Sequence, residues 1–139
     1  VSSMHIRRLE AGILDYGTDI DQTLNPYEIG LERLVHLDKS DFIGREALME
    51  TNKKTNRLMG IVCAESSLIR GDKLLDSDKE IGFVSAGAWS PTLDTGIGLI
   101  RLNKSKPENY PLKVVTASGD FDAKVVELPF FDKEKLLTK

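Results

Sequence analysis

The sequence has little of what marks the specialised classes of protein. Its 139 residues include one cysteine, two histidines, one tryptophan and five prolines, and aromatics make up 6%. A single cysteine excludes an intramolecular disulfide framework. Without paired cysteines, a His-x-x-x-His pair or a dense Asp/Asn loop, no recognised metal-binding pattern is present. Neither sign of charge dominates, since 19 Lys+Arg stand against 22 Asp+Glu for a net charge of -3. The basic excess or stripe of a nucleic-acid binder is therefore missing. No apolar run approaches the roughly 20 residues of a membrane span. What remains, 40% hydrophobic and 29% charged residues, is the composition of an ordinary globular domain. A chain of about 150 residues buries about 70% of its unfolded surface, enough for one good core.

Cys63 lies in the apolar run Leu58–Ala64 and reads as a small buried hydrophobe. Its chemistry suits a reducing interior, so a cytoplasmic location is expected. The N-terminus shows no basic segment followed by an apolar one. It also begins Val1-Ser2-Ser3-Met4 and enters a helical pattern at once, which suggests a fragment of a longer chain.

Ile6, Leu9, Ile13 and Tyr16 recur at three- and four-residue steps, which predicts a helix running to Tyr16. Ser2 or Ser3 caps its start and Gly17 closes it. Gly12 would sit inside this helix as a point of close approach. Asn25-Pro26 opens a predicted short helix that runs into a strand through Ile29–Val35. Gly44–Lys53 is rich in helix formers, with Ile43, Ala47 and Leu48 as its apolar face and Lys53, Lys54 and Asn56 at its end.

From Arg57 onward β-branched runs alternate with turn signals. The predicted strands are Leu58–Ala64, Lys73–Leu75, Glu80–Ala86, Ile97–Leu102, Leu112–Ala117 and Phe121–Leu128. Ser118-Gly119-Asp120 is a hairpin signal. Short, closely spaced strands predict a compact antiparallel barrel or sandwich, and closure would protect the edges. The fold class is thus α+β, an N-terminal helical segment followed by a small antiparallel β-barrel.

Few residues suggest chemistry by themselves. Asp19 and Asp21 are too few for a cation and read as a solvated loop. Gly96 and Gly98 lack the third glycine and the helix of a dinucleotide site and read as close-approach positions in a barrel. Ser90 lacks the glycines of a nucleophile elbow, so Ser90-Pro91 reads as a turn, and Trp89 reads as a core plug, or else a pocket wall. Arg8 and Tyr16, two helical turns apart, pair a cationic fork with a phenol. That pair suits a carboxylate-bearing aromatic ligand, or else is a surface arginine and a packed tyrosine.

The segment Arg8-Leu9-Glu10-Ala11-Gly12, with Tyr16-Gly17 after it, resembles the R-x-E-A-G…Y-G segment of the glycine-cleavage T-protein (aminomethyltransferase) family. Asn25-Pro26-Tyr27-Glu28-Ile29-Gly30-Leu31, Asp41-Phe42-Ile43-Gly44-Arg45-Glu46-Ala47-Leu48 and Gly82–Leu93 are similar to three further family segments, in order. Ile97-Gly98-Leu99-Ile100 matches the strand that follows them. Together they cover nearly the whole chain, but only the C-terminal part of the family pattern.

The resemblance implies a helical segment over 1–55 that completes the folate-binding region of a longer protein, a C-terminal barrel over 56–131 and a tail over 132–139. It implies tetrahydrofolate as cofactor, with Arg8 on its glutamate carboxylate and Tyr16 nearby. Arg33 is implied as a third cofactor-binding residue, near a position where many members carry an aromatic residue. The catalytic acid–base group would lie in an absent N-terminal portion, so these 139 residues alone are expected to be inactive. Implied partners are that portion of the same chain and a small-molecule or carrier-protein one-carbon donor. No nucleic acid or membrane partner is expected. Pro129-Phe130-Phe131-Asp132 lacks the basic residue T-proteins often carry after P-F-(Y). The Leu128-Pro129-Phe130 ending looks at least as much like the folate-dependent demethylases of sulfonium or methylated-amine substrates, such as dimethylsulfoniopropionate demethylase. A non-catalytic barrel scaffold is the rival of another class. An oligonucleotide-binding barrel would need salt-dependent affinity that the acidic balance disfavours.

Overall fold

The computed structural model describes residues 2–51, 57–134 and 136. Six antiparallel strands form a closed barrel: β1 Met59–Cys63, β2 Lys73–Asp76, β3 Lys79–Ser90, β4 Thr95–Leu102, β5 Pro111–Thr116 and β6 Gly119–Val126. Their order is β1-β4-β3-β2-β5-β6, closed by β6 on β1 through Gly60↔Val126, Ile61↔Val125 and Val62↔Lys124. All six predicted strands form, because their apolar residues alternate toward an interior filled by Ile61, Leu74, Val84, Ile100, Val114 and Val125. Cys63 is fully buried among them. The β2–β3 turn places Ser77 and Asp78 at φ 49 and 69, the left-handed pair that matches the twist of a two-residue hairpin.

One irregularity gives β3 and β4 a second buried face. Val84 pairs with Ile100 and Ala86 with Leu99, so Ser85 is an extra residue, a bulge. Val84 faces the barrel interior, whereas Ala86 and Ala88 join Ile97 and Leu99 on the outside. That outer face receives α1, Ser3–Glu10, through the fully buried Leu9. Burying one leucine in this way contributes about 1.5–3 kcal/mol.

The predicted close approaches at the β4 glycines hold. A Cβ on Gly96 would lie 2.0 Å from the Ser66 carbonyl oxygen, and one on Gly98 would lie 3.1 Å from Val84 Cγ1. Trp89 departs from the expectation of a core plug. It shares a strand face with Gly87 and pairs with Gly96, and the backbone of Leu68 and Ser66 already occupies the space against those glycines. The indole is left 37% exposed at the end of the strand.

The helical segment is smaller than the periodicity predicts. Ser2 caps α1 as expected, its Oγ accepting the His5 N–H, but the helix stops at Glu10. Gly12 takes φ +65, its N–H bonds the Leu9 carbonyl and the Ile13 N–H bonds the Arg8 carbonyl. That pair of bonds is a Schellman closure. Gly12 therefore ends the helix that Gly17 was expected to end, and Ile13 and Tyr16 are exposed rather than packed. Asn25 caps as predicted: its Oδ1 accepts the Tyr27 and Glu28 N–H groups, and Glu28 Oε2 accepts the Asn25 N–H. The turn it begins goes no further into a helix, because Gly30 sits at φ +74. A 3₁₀ turn, Glu32–Leu34, replaces the expected strand. The third helix forms as α2, Arg45–Glu50, with none of its residues buried and Ile43 fully exposed. Its predicted end at Lys53–Asn56 lies outside the described residues, as does half of the 132–139 tail.

Candidate cofactor site

Two buried carboxylates fasten the N-terminal segment to the outer face of β3 and β4. Asp19, 0% exposed, is not the solvated loop residue its neighbourhood suggests. Its Oδ2 accepts from Arg8 Nη1 at 2.6 Å and from the Asp15 N–H at 2.9 Å, and its Oδ1 accepts from Ser85 Oγ at 2.8 Å. A buried carboxylate needs such partners, because an unpaired charge would cost several kcal/mol, of order 3–5. The bulge that shifts β3 also brings Ser85 to Asp19. The second carboxylate, Glu10, accepts from Ser90 Oγ at 2.5 Å, while Ser90 Oγ accepts the Leu93 N–H. Ser90 thus ties the strand end to α1 as well as opening the predicted turn.

Arg8 is anchored at one nitrogen. Nη1 donates to Asp19 Oδ2 and, at 3.0 Å, to the Ile13 carbonyl, which uses both of its hydrogens. Nε and Nη2 donate to no acceptor among the described residues, and the side chain is 19% exposed. These two nitrogens form one edge of the planar guanidinium, the edge that suits a carboxylate in bidentate fashion.

Tyr16 and Arg33 stand elsewhere. With α1 ending at Glu10, the helical spacing of Arg8 and Tyr16 does not hold. Tyr16 lies in the following turn, where it bridges Ile20, and is mostly exposed. Arg33 lines a cleft of about 460 Å³ with Gly12, Leu14, Ile20, Leu128 and Pro129. Arg57, absent from the sequence-based candidates, joins Arg33 there and lies 3.8 Å from Glu32. Neither Arg8 nor Tyr16 lines this cleft. The cleft is largely apolar, with two arginines and Glu127 among its lining, a combination suited to a flat ligand with polar groups at its edge.

A third carboxylate, Asp21, meets the Thr23 hydroxyl and N–H and, at 3.0 Å, Arg101 Nη1. Those donors, the Thr23 hydroxyl foremost, hold its pKa down at about 2. Arg101 also lies over the Phe83 ring, 5.9 Å from its centre. Among the described residues no group of three or more His, Cys, Asp or Glu side chains gathers to hold a metal ion. No described helix is long and apolar enough to cross a membrane.

Sequence reasoning missed Asp19, Ser85 and Glu10 as partners. Ser85 and Ser90 lie within the matched Gly82–Leu93 segment, and Arg8 and Glu10 within the first matched segment. Their joint occurrence was the only available signal.

The architecture defines a class: a closed six-stranded antiparallel barrel domain with an N-terminal segment pinned to its outer face by buried carboxylates. Residues 56–132 match the model of the glycine cleavage T-protein C-terminal barrel domain. The aminomethyltransferase of Thermosipho melanesiensis is 35% identical over 127 residues, which are 89% of this chain and 35% of that protein. That of Listeria innocua is 38% identical over 133 residues, 92% of this chain and 37% of that protein. The crystal structure of the glycine cleavage system aminomethyltransferase T from Bartonella henselae superposes with a TM-score of 0.82 at 24% identity, over 93% of this chain and 38% of that one. The chain belongs to the glycine cleavage T-protein family, whose C-terminal barrel domain it carries. It spans about a third of the length of the curated relatives it matches.

Proposed function

We propose that this chain is the C-terminal portion of a tetrahydrofolate-dependent one-carbon transferase of the aminomethyltransferase kind. The names of its curated relatives support the reaction class. The observation that carries the cofactor reading is the Arg8 guanidinium, anchored through Nη1 with its Nε/Nη2 edge open. Such an edge fits the glutamate carboxylate of a folate. Arg33 and the apolar cleft beside Gly12 fit the flat remainder of an anionic aromatic molecule, and exposed Tyr16 is the phenol assigned near it. When bound, tetrahydrofolate supplies the nitrogen that takes up the one-carbon unit. The contribution of these residues is to hold and orient it, and orientation alone is a large part of catalysis in transfers of this kind.

Turnover then needs further polypeptide equivalent to the other two thirds of the relatives, and it takes place in the cytoplasm. Exposed Met4, Ile13, Leu34, Ile43 and Met49 support such a packing partner. The one-carbon donor is a small molecule or a carrier-protein-bound group. A demethylase of a sulfonium or methylated amine is the second reading, favoured by Phe131-Asp132 where a basic residue is expected. Calorimetric titration of tetrahydrofolate into the full-length protein that carries this chain, and into its Arg8→Ala variant, tests the proposal. Saturable binding that Arg8→Ala weakens supports it. No binding, or binding indifferent to Arg8, favours a scaffold.

A further inference from the structure

The geometry points to Asp19 as a positioning residue that fixes Arg8 for a carboxylate ligand, an inference that rests on the tetrahydrofolate reading above. A guanidinium on a long side chain recognises a carboxylate in bidentate fashion only if its plane is held, since a free arginine divides its time among many rotamers. Here the plane is held from behind. Asp19 Oδ2 and the Ile13 carbonyl take both hydrogens of Nη1, so rotation about the chain would break two bonds. Asp19 is itself immobilised by the Asp15 N–H and by Ser85 Oγ, which the β3 bulge delivers from the barrel. The rigid barrel thus reaches the ligand edge of Arg8 through two hydrogen bonds, Ser85 to Asp19 and Asp19 to Arg8. The edge that remains, Nε and Nη2, is the two-pronged one, and the side chain is exposed enough to be met.

Position and charge pull in opposite directions at Asp19. Its negative charge repels an incoming carboxylate, so an electrostatic role alone predicts tighter binding when that charge is removed. A merely structural role predicts that all ligands suffer alike. A positioning role predicts a loss confined to ligands that carry the carboxylate, with rescue by an uncharged isostere. Asparagine is that isostere: its oxygen can accept from Arg8 and Asp15 while its amide nitrogen donates to Ser85 Oγ.

The experiment is equilibrium binding of two ligands to the full-length protein that carries this chain: tetrahydrofolate, and its glutamate diamide, which keeps the rings and loses both carboxylates. The wild type is expected to prefer tetrahydrofolate, and Arg8→Ala to abolish that preference. Asp19→Ala is expected to weaken tetrahydrofolate about tenfold while the diamide stays within about twofold. Asp19→Asn is expected to recover most of the loss, and Ala at both 8 and 19 to be no worse than Arg8→Ala alone, because the two residues act as one unit. Should Asp19→Ala not fold, Ser85→Ala, which strips one donor from Asp19, is expected to show a smaller loss of the same selectivity. If Arg8→Ala removes the preference but the Asp19 and Ser85 variants keep it, or if both ligands weaken together in those variants, the positioning role is overturned and the folate reading stands. If the wild type shows no preference or no binding, the folate reading of Arg8 fails and this inference fails with it.

Discussion

Ser90 Oγ donates a hydrogen bond to Glu10 Oε1 at 2.5 Å, joining the last residue of β3 to the last residue of α1. Both residues are buried. Removing the hydroxyl leaves a buried carboxylate short of a donor, which costs about 1–3 kcal/mol. Ser90→Ala should lower the urea midpoint accordingly. Hydrogen exchange should show the loss concentrated in α1, and uniform deprotection would argue against a local tie.

Gly12 ends α1 at φ +65 and faces Leu128 Cβ and Pro129 Cα at 3.3 Å from where a Cβ would stand. An L side chain in the left-handed region costs roughly 1–2 kcal/mol, and crowding adds to it. Gly12→Ala should therefore be more damaging than Gly44→Ala. Gly44 also has a positive φ, +88, but open space around it. Thermal unfolding of the two variants measures the difference, and equal losses would contradict the packing against Pro129.

Gly96→Ala should be among the most destabilising single changes in the barrel. Its Cβ would fall 2.0 Å from backbone oxygen of Ser66, which cannot swing aside. Overpacking a core typically costs about 1–3 kcal/mol and here should reach the upper end or beyond. Gly60→Ala meets the edge of the Phe130 ring at 2.8 Å instead, and a side chain can yield, so its loss should be smaller.

The Asp21 carboxyl should titrate near pH 2 by NMR rather than near its ordinary 3.8. Its folded pKa is depressed, so its contribution to stability is fully present above about pH 4. That contribution is lost as pH falls from there toward 2. Thr23→Val removes the largest cause, the hydroxyl bond, and should flatten the fall of stability over that window. An unchanged pH profile would count against the Thr23–Asp21 pairing.

Trp89 is the only tryptophan in the chain, which makes its environment easy to read. Lying 37% exposed, it should emit toward the red and be quenched by acrylamide in the native state. A blue-shifted, unquenched emission would return it to the core.

The barrel was legible because each strand carries its own evidence: alternation, β-branched residues and a turn signal at either end. The helix boundary at Gly12 was hidden, since apolar Ile13 and Tyr16 continue the three- and four-residue rhythm beyond the point where the backbone turns left-handed. Trp89 was misplaced because hydrophobicity cannot show that Leu68 and the Ser66 backbone already occupy the space beside it. At the candidate site, the type of Arg8 was informative but its partner was not. Asp19 lies beyond two turns and Ser85 66 residues further along the chain in β3, so only folding brings them together.

The Phe131 N–H bonds the Glu10 carbonyl, and Gly12 abuts Leu128 and Pro129. The seat of the first helix is thus finished by residues almost a whole chain length away. On a ribosome α1 emerges before the barrel strands but has no complete place to dock until β6 and the residues after it have left the tunnel. Contacts of such long sequence separation are the slow ones in folding. α1 is therefore among the last parts of this barrel unit to settle, and it stays open to chaperones or proteases for the time that takes.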